Sequence, residues 1–174
     1  GTFDFEYLPE DTKLDLSRSY LNINQETNLG LGWRMTTNIQ HVSDVNYFED
    51  LGDSLSAASQ THLNRYVDFS YRAQNWSLAA KMQNYQTIDP LIDDQNEPYK
   101  RVPQFLFSGR WDKNNVRFTS ENELVNFDRH VGTTGWRMDL AEEISFPIIR
   151  PGMFLTPALG LRQTNYWLNE NTPN

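Results

Sequence analysis

The sequence predicts an all-β protein, an antiparallel up-and-down meander of about nine strands forming part of a large transmembrane β-barrel. Three observations carry that expectation. Apolar and polar residues alternate with a period of two in one run after another. Tight and long connections between the runs alternate along the chain. Aromatic residues make up 13% of the chain and gather near the ends of the runs, although the mean hydropathy is only −0.68.

The clearest run is Leu29 to His41, where Leu29, Leu31, Trp33, Met35, Thr37 and Ile39 alternate with Gly30, Gly32, Arg34, Thr36, Asn38 and Gln40. Successive side chains on a strand point to opposite faces, so one face is apolar and the other wet. Phe3, Phe5 and Tyr7 repeat the pattern, as do Val67, Phe69 and Tyr71, then Trp76, Leu78, Ala80 and Met82. Later runs carry Phe105, Phe107 and Trp111, then Val116 and Phe118, then Trp136, Met138, Leu140 and Ile144, and finally Leu155, Leu159 and Leu161. A weaker run spans Tyr20 to Gln25.

Between the runs, Glu26–Gly32, Arg72–Asn75, Asp112–Asn115 and Pro147–Gly152 read as tight turns. Pro9–Ser17, Ser43–His62, Gln86–Pro98 and Asp128–Thr134 read as longer loops. In a meander every second connection lies at the same end, which sorts short turns from long loops as in outer-membrane barrels. Trp33, Tyr71, Trp76 and Trp111 fall beside the short-turn end, and Tyr7, Tyr85, Tyr99, Trp136 and Trp167 near the other, as two interfacial girdles would require. Nine strands are odd in number, so the chain reads as a portion of a longer wall.

The 174 residues carry a net charge of −8 and no cysteine, which excludes thiolate chemistry and argues against an electrostatic nucleic-acid binder. Acids such as Asp44, Glu49, Asp50, Asp89, Asp93, Asp94 and Glu97 collect in the long loops. The last four offer oxygen ligands but no EF-hand spacing, so a solvated loop is the plainer reading. His41, Ser43 and Asp44 contain triad residue types, yet near neighbours at a strand end do not form a triad. Glu142 and Glu143 point to opposite faces, and His41, His62 and His130 lack ligand spacing. Nothing in the sequence supports catalysis, a metal or a cofactor.

The segment Val42-Ser43-Asp44, Asn46-Tyr47-Phe48 and Asp50-Leu51 closely resembles the VSDxNYFxDL signature of the LPS-assembly protein family LptD, also called OstA or Imp. Four further segments agree in order: Glu6-Tyr7-Leu8-Pro9 with Asp11, Tyr99 to Gln104, Ser145-Phe146-Pro147, and Thr156-Pro157 through Leu159-Gly160-Leu161-Arg162 to Thr164 and Tyr166. Ala141-Glu142 departs from the pattern, where a proline is expected. The resemblance implies a very large barrel in the outer membrane of a Gram-negative cell. It further implies a periplasmic jellyroll ahead of the barrel and an LptE-like lipoprotein plugging its lumen. Lipopolysaccharide would arrive over a periplasmic LptA-like bridge docked to the jellyroll and leave sideways into outer-membrane lipid. Residues 1–174 would then be a single segment of the barrel wall, with the jellyroll, signal peptide and closing strands outside it.

On that reading a hydrated path needs hydrogen-bonding and cationic groups on the polar face. The candidates are Arg34, Thr36, Asn38, Gln40, Ser70, Lys81, Gln83, Arg117, Thr119, Arg137, Arg162 and Thr164. The competing reading of each is pairing with a neighbouring carboxylate across strands or contact with the plug. The signature loop is expected to fold back into the lumen, because Tyr47 and Phe48 are poorly placed in water. Ser43 and Asp44 are expected to build a local turn there. The alternatives are a porin-type or receptor barrel and a soluble periplasmic β-sandwich.

Overall fold

The structure, a computed structural model, describes residues 1–52 and 59–171. Its strands are β1 (Thr2–Asp11), β2 (Leu16–Gly30), β3 (Trp33–Val42), β4 (His62–Arg72), β5 (Trp76–Thr87), β6 (Lys100–Lys113), β7 (Val116–Asp128), β8 (Gly132–Ser145), β9 (Ile148–Arg150), β10 (Met153–Leu155) and β11 (Ala158–Asn171). A short helix, α1 (Tyr47–Leu51), and a single 3₁₀ turn at Asp94–Asn96 lie in two of the connections. The nine long strands form one antiparallel sheet in the order β1-β2-β3-β4-β5-β6-β7-β8-β11. Every neighbour but the last is a neighbour in sequence. The sheet is open, with β1 and β11 as its edges.

The alternation of the sequence becomes two faces of this sheet. Registers such as Met35↔Phe69↔Ala80↔Phe105↔Leu124↔Met138 place one apolar row across six strands. The next row, Thr36↔Asp68↔Lys81↔Gln104, is polar. The apolar face is exposed along its whole breadth, from Phe3 and Phe5 through Trp33, Met35, Phe69 and Met82 to Leu159 and Leu161. An apolar surface this wide has no soluble partner within the described residues, and it is built as a wall facing hydrocarbon.

At the short-turn end that face carries a continuous aromatic belt. Trp33 stacks on Phe69 at 4.8 Å and meets Tyr71 at 4.9 Å, and Tyr71 meets Trp76 at 5.0 Å. The belt continues through Trp76–Phe107 at 6.1 Å, Phe107–Trp111 at 6.3 Å and Trp111–Phe118 at 5.7 Å. Gly109 makes this possible, because a Cβ there would collide with the Trp111 ring. At the other end the girdle is sparser. Trp136 and Trp167 face each other across β8 and β11, but Tyr85 shares the polar face with Asn64 and Gln83 and drops out. Ser120, Asn122 and Glu142 interrupt the apolar face as a small hydrogen-bonded cluster.

Several expected boundaries move. The run Leu29–His41 is not one strand, because the β2–β3 turn at Leu31-Gly32 lies inside it. Gly30, Leu31 and Gly32 all have positive φ (82°, 52° and 88°), which two glycines permit. The carbonyl of Arg72 also approaches Gly32 too closely to admit a side chain. The loops expected at Pro9–Ser17 and Asp128–Thr134 shrink to 12–15 and 129–131, because cross-strand pairing extends β1, β2, β7 and β8 into them. The turn expected at Pro147–Gly152 is the tip of a longer connection, 146–157, which holds the β9–β10 ladder. The long connections are therefore 43–61, whose middle residues lie outside the described ones, 88–99 and 146–157. The first two sit at the end opposite the aromatic belt, and the third lies at the belt end, beside the β6–β7 turn, so long connections are not confined to one end.

If the apolar face meets hydrocarbon, a charge there is penalised and one on the polar face is not. Phe105→Arg in the full-length protein folded into lipid should lose about 2–4 kcal/mol of unfolding free energy, and Thr119→Arg less than about 1, measured by denaturant titration.

Candidate functional site

All of the polar-path residues expected from the sequence lie on the polar face. Arg34 and Ser70 are paired in register, as are Gln83 and Tyr66, Gln40 and Asn22, and Thr164 and Asp139. Near the short-turn end the face encloses a concavity of about 820 Å³ lined by Arg34, Ser70, Arg72, Ser77, Ser108 and Glu121.

Most arginines of this face are bound to acids of the same face. Arg34 bridges to Glu26 at 2.7 Å and Arg117 to Asp112 at 2.7 Å, with Arg110 on the other oxygen of Asp112 at 3.0 Å. Arg137 pairs with Glu123 and its guanidinium sits 5.0 Å from the Phe127 ring centre. Arg162 pairs with Asp139, which also accepts from the Thr164 hydroxyl at 2.9 Å. Lys81 lies over the Tyr66 ring at 4.5 Å. Gln83 donates to Asn64 at 2.9 Å. Such a face is wet and hydrogen-bonding, and the paired arginines offer no bare positive charge, whereas Arg72, Arg101 and Lys81 make no ion pair among the described residues. Thr36, Asn38 and Thr119 stand between these pairs on the same face.

At the long-loop end the signature segment folds over this face. Ser43 Oγ accepts the Ser19 N–H at 3.0 Å, and Asp44 Oδ1 accepts the Asn46 N–H at 3.2 Å, which turns the chain into α1. The turn delivers Tyr47 and Phe48 onto Tyr20, at 6.0 and 5.4 Å between ring centres. Tyr47 is buried with Val42, Leu63 and Ile88, and its hydroxyl donates to Glu6 at 2.7 Å. Below lies a concavity of about 390 Å³ lined by Glu6, Gln40, Tyr47, Phe48 and Leu51.

One residue that the sequence did not single out fastens the segment. Arg18, 1% exposed, makes a fork to Asp44 with Nε at 3.0 Å and Nη2 at 2.8 Å. Its Nη1 donates to Asp11 at 3.1 Å and to Asp50 at 2.9 Å. Two of these acids belong to the signature and the third to the segment around Tyr7. The backbone N–H of Lys13 and the Arg18 guanidinium hold the Asp11 carboxyl below its ordinary value. Burial and the Glu6 carboxylate push the Tyr47 phenol above its own.

Comparison with known proteins bears on the same segments. The profile of a family described as LptD, LPS transport system D, matches residues 17–174. The chain is 36% identical to the LPS-assembly protein LptD of Nitrosococcus oceani over 99% of its own length and 24% of the relative's. It is 33% identical to that of Alkalilimnicola ehrlichii over 97% of the chain and 23% of the relative. The chain belongs to the LptD family. It spans about a quarter of the length of the LptD relatives it matches.

The LptD signature is thus, in this chain, a fastening. Its acids are ligands of Arg18, its tyrosine caps Glu6, and its serine closes the β2–β3 edge. Nothing near Arg18 in sequence betrays this, since two of its three acids come from the signature segment more than twenty residues away. Among the described residues no cluster of His, Asp or Glu is arranged to hold a metal.

Arg18→Met would leave three carboxylates facing one another. The full-length protein should lose about 3 kcal/mol, since removing one member of a buried ionic cluster strands the others. Hydroxyl-radical footprinting of Tyr47 and Phe48 should show the segment released. In the unsubstituted protein the Asp11 contribution is complete above the ordinary carboxyl value of 3.8 and is lost as pH falls through its lower folded value. Footprinting should therefore show release only on acidification below about pH 4.

Proposed function

We propose that this chain is one segment of the wall of an outer-membrane β-barrel that delivers lipopolysaccharide to the outer leaflet, with no enzymatic step. The observation that carries the reading is the sheet's two-sidedness in a chain of the LptD family. One face is exposed and apolar with an aromatic belt, and the other is polar with most of its arginines paired to acids. The names of the relatives, LPS-assembly protein, supply the cargo. The free edges β1 and β11 are where further strands would continue the wall.

The division of labour follows from the physics of an amphiphile. Acyl chains need an apolar route and sugars need donors and acceptors that release them easily. A face most of whose arginines are already paired with acids serves this better than a row of bare arginines, which would hold phosphates tightly. Thr36, Asn38, Gln40, Ser70, Gln83, Thr119 and Thr164 supply transient contacts, and Arg34, Lys81, Arg117, Arg137 and Arg162 keep the surface hydrated. The signature segment covers the polar face at the long-loop end. An LptE-like lipoprotein plug inside the barrel and an LptA-like bridge joined through a jellyroll complete the proposed machine.

Photocrosslinking in cells tests this reading. Probes at Asn38 and Thr119 should capture lipopolysaccharide or the lipoprotein, and probes at Met35 and Phe105 should capture bulk membrane lipid. Capture at neither polar-face position, under conditions where the protein is assembled, would overturn it.

A further inference from the structure

One arginine stands on the other face of the sheet, at the long-loop end. On the apolar face of β3, β4 and β5 the outward positions are apolar up to Ile39, Val67 and Met82. The next ones toward the long-loop end are His41, Arg65 and Asn84, then Gln86. Arg65 is partly buried there and makes no ion pair among the described residues. Its Nε donates to the Gln40 carbonyl at 2.8 Å, and its Nη2 is shared between His41 Nδ1, at 2.7 Å, and the Gln86 amide oxygen. Gln86 is pinned in turn, donating to the Val42 carbonyl at 2.8 Å and accepting the Val42 N–H at 3.2 Å.

This wiring has a direction. A guanidinium only donates, so His41 Nδ1 accepts from Arg65 and leaves a proton on Nε2; the Gln86 amide oxygen, 2.9 Å from the same Nδ1, is then not its partner. The Gln86 oxygen is consumed by Arg65 and Val42. What remains unspent in the cluster is donors: the Arg65 Nη1 pair and the His41 Nε2–H. A positive charge with donors only, rigidly held where an apolar wall turns polar, suits an anionic oxygen cluster at the end of an apolar molecule.

We propose that His41 and Arg65 form a binding site for the phosphate group of a membrane lipid, on the outward surface at the long-loop rim. The lipid's chains would lie along the apolar row of Ile39, Val67 and Met82, and its phosphate would accept from Arg65 and His41. The site is separate from the polar face and from any lipid passing along it. It rests on the reading of the apolar face as membrane-facing.

The test is native mass spectrometry of the full-length protein from detergent, with phosphatidic acid as probe and diacylglycerol as the same lipid without phosphate. Phosphatidic acid should be retained at least about tenfold more strongly than diacylglycerol, as a charge-assisted contact requires. Arg65→Gln should abolish that preference, Arg65→Lys should keep most of it, and the exposed His41→Ala should weaken it even if Arg65→Gln fails to fold. Lys113→Gln, at the opposite end, should change nothing. Equal retention of the two lipids, or an unchanged preference in both Arg65→Gln and His41→Ala, would overturn the site. Full displacement by inorganic phosphate would also do so, since it would mark a site for the free ion. Retention is read without any lipopolysaccharide delivery. Lipid-soluble photolabelling at Phe105 in the same preparation reports separately whether the apolar face meets the membrane.

Discussion

Hydrocarbon offers no hydrogen bonds to a peptide backbone, and the rest of this structure follows from that constraint. A strand crossing such a medium must satisfy its N–H and C=O groups sideways, on both edges, along its whole length. The β2-to-β8 ladder does so with antiparallel neighbours throughout. Once backbone pairing is fixed, the side chains have no freedom of direction. They alternate, and a chain that is polar on average resolves into an apolar sheet face and a wet one. The low mean hydropathy and the aromatic excess are therefore the same fact seen from two sides.

The wet face then has its own problem, since charges stacked in neighbouring rows of a sheet repel or attract strongly. This chain solves it by placing acids opposite or diagonal to arginines: Glu26 to Arg34, Asp112 to Arg117, Glu123 to Arg137, Asp139 to Arg162. Each exposed pair contributes little to stability, on the order of 1 kcal/mol or less. Their effect is on character, since they give a hydrated surface without a net grip on phosphate. Arg18 and Arg65 differ from these pairs. The first is buried under three acids and fastens a loop, and the second has no acid and faces the other way.

Much of the fold was legible because period-two alternation survives averaging. It was clearest where both faces were of one kind, as in β3 and β5. It faded in β2, where Asn22, Asn24 and Glu26 on one face oppose Gln25 and Thr27 on the other, and only pairing with β1 and β3 shows a strand through Gly30. It misled at Leu29–His41, because Leu31 keeps the odd-position rhythm through a turn whose geometry belongs to the flanking glycines. The polar-face residues were readable from the same parity. Their partners were not, since cross-strand register depends on loop lengths that sequence gave only loosely. The Arg18 fastening and the His41–Arg65 pair were illegible for a plainer reason: each gathers residues from segments that only the folded sheet brings together.

The account stands or falls on whether the two faces meet two solvents. Spin labels placed one at a time along β3, from Trp33 to Val42, in the full-length protein in lipid would measure this directly through collision with oxygen and with a water-soluble nickel chelate. The expected result is strict alternation, with Trp33, Met35, Thr37 and Ile39 favouring oxygen and Arg34, Thr36, Asn38 and Gln40 favouring nickel. Uniform accessibility to nickel, or oxygen preference without a period of two, would contradict it.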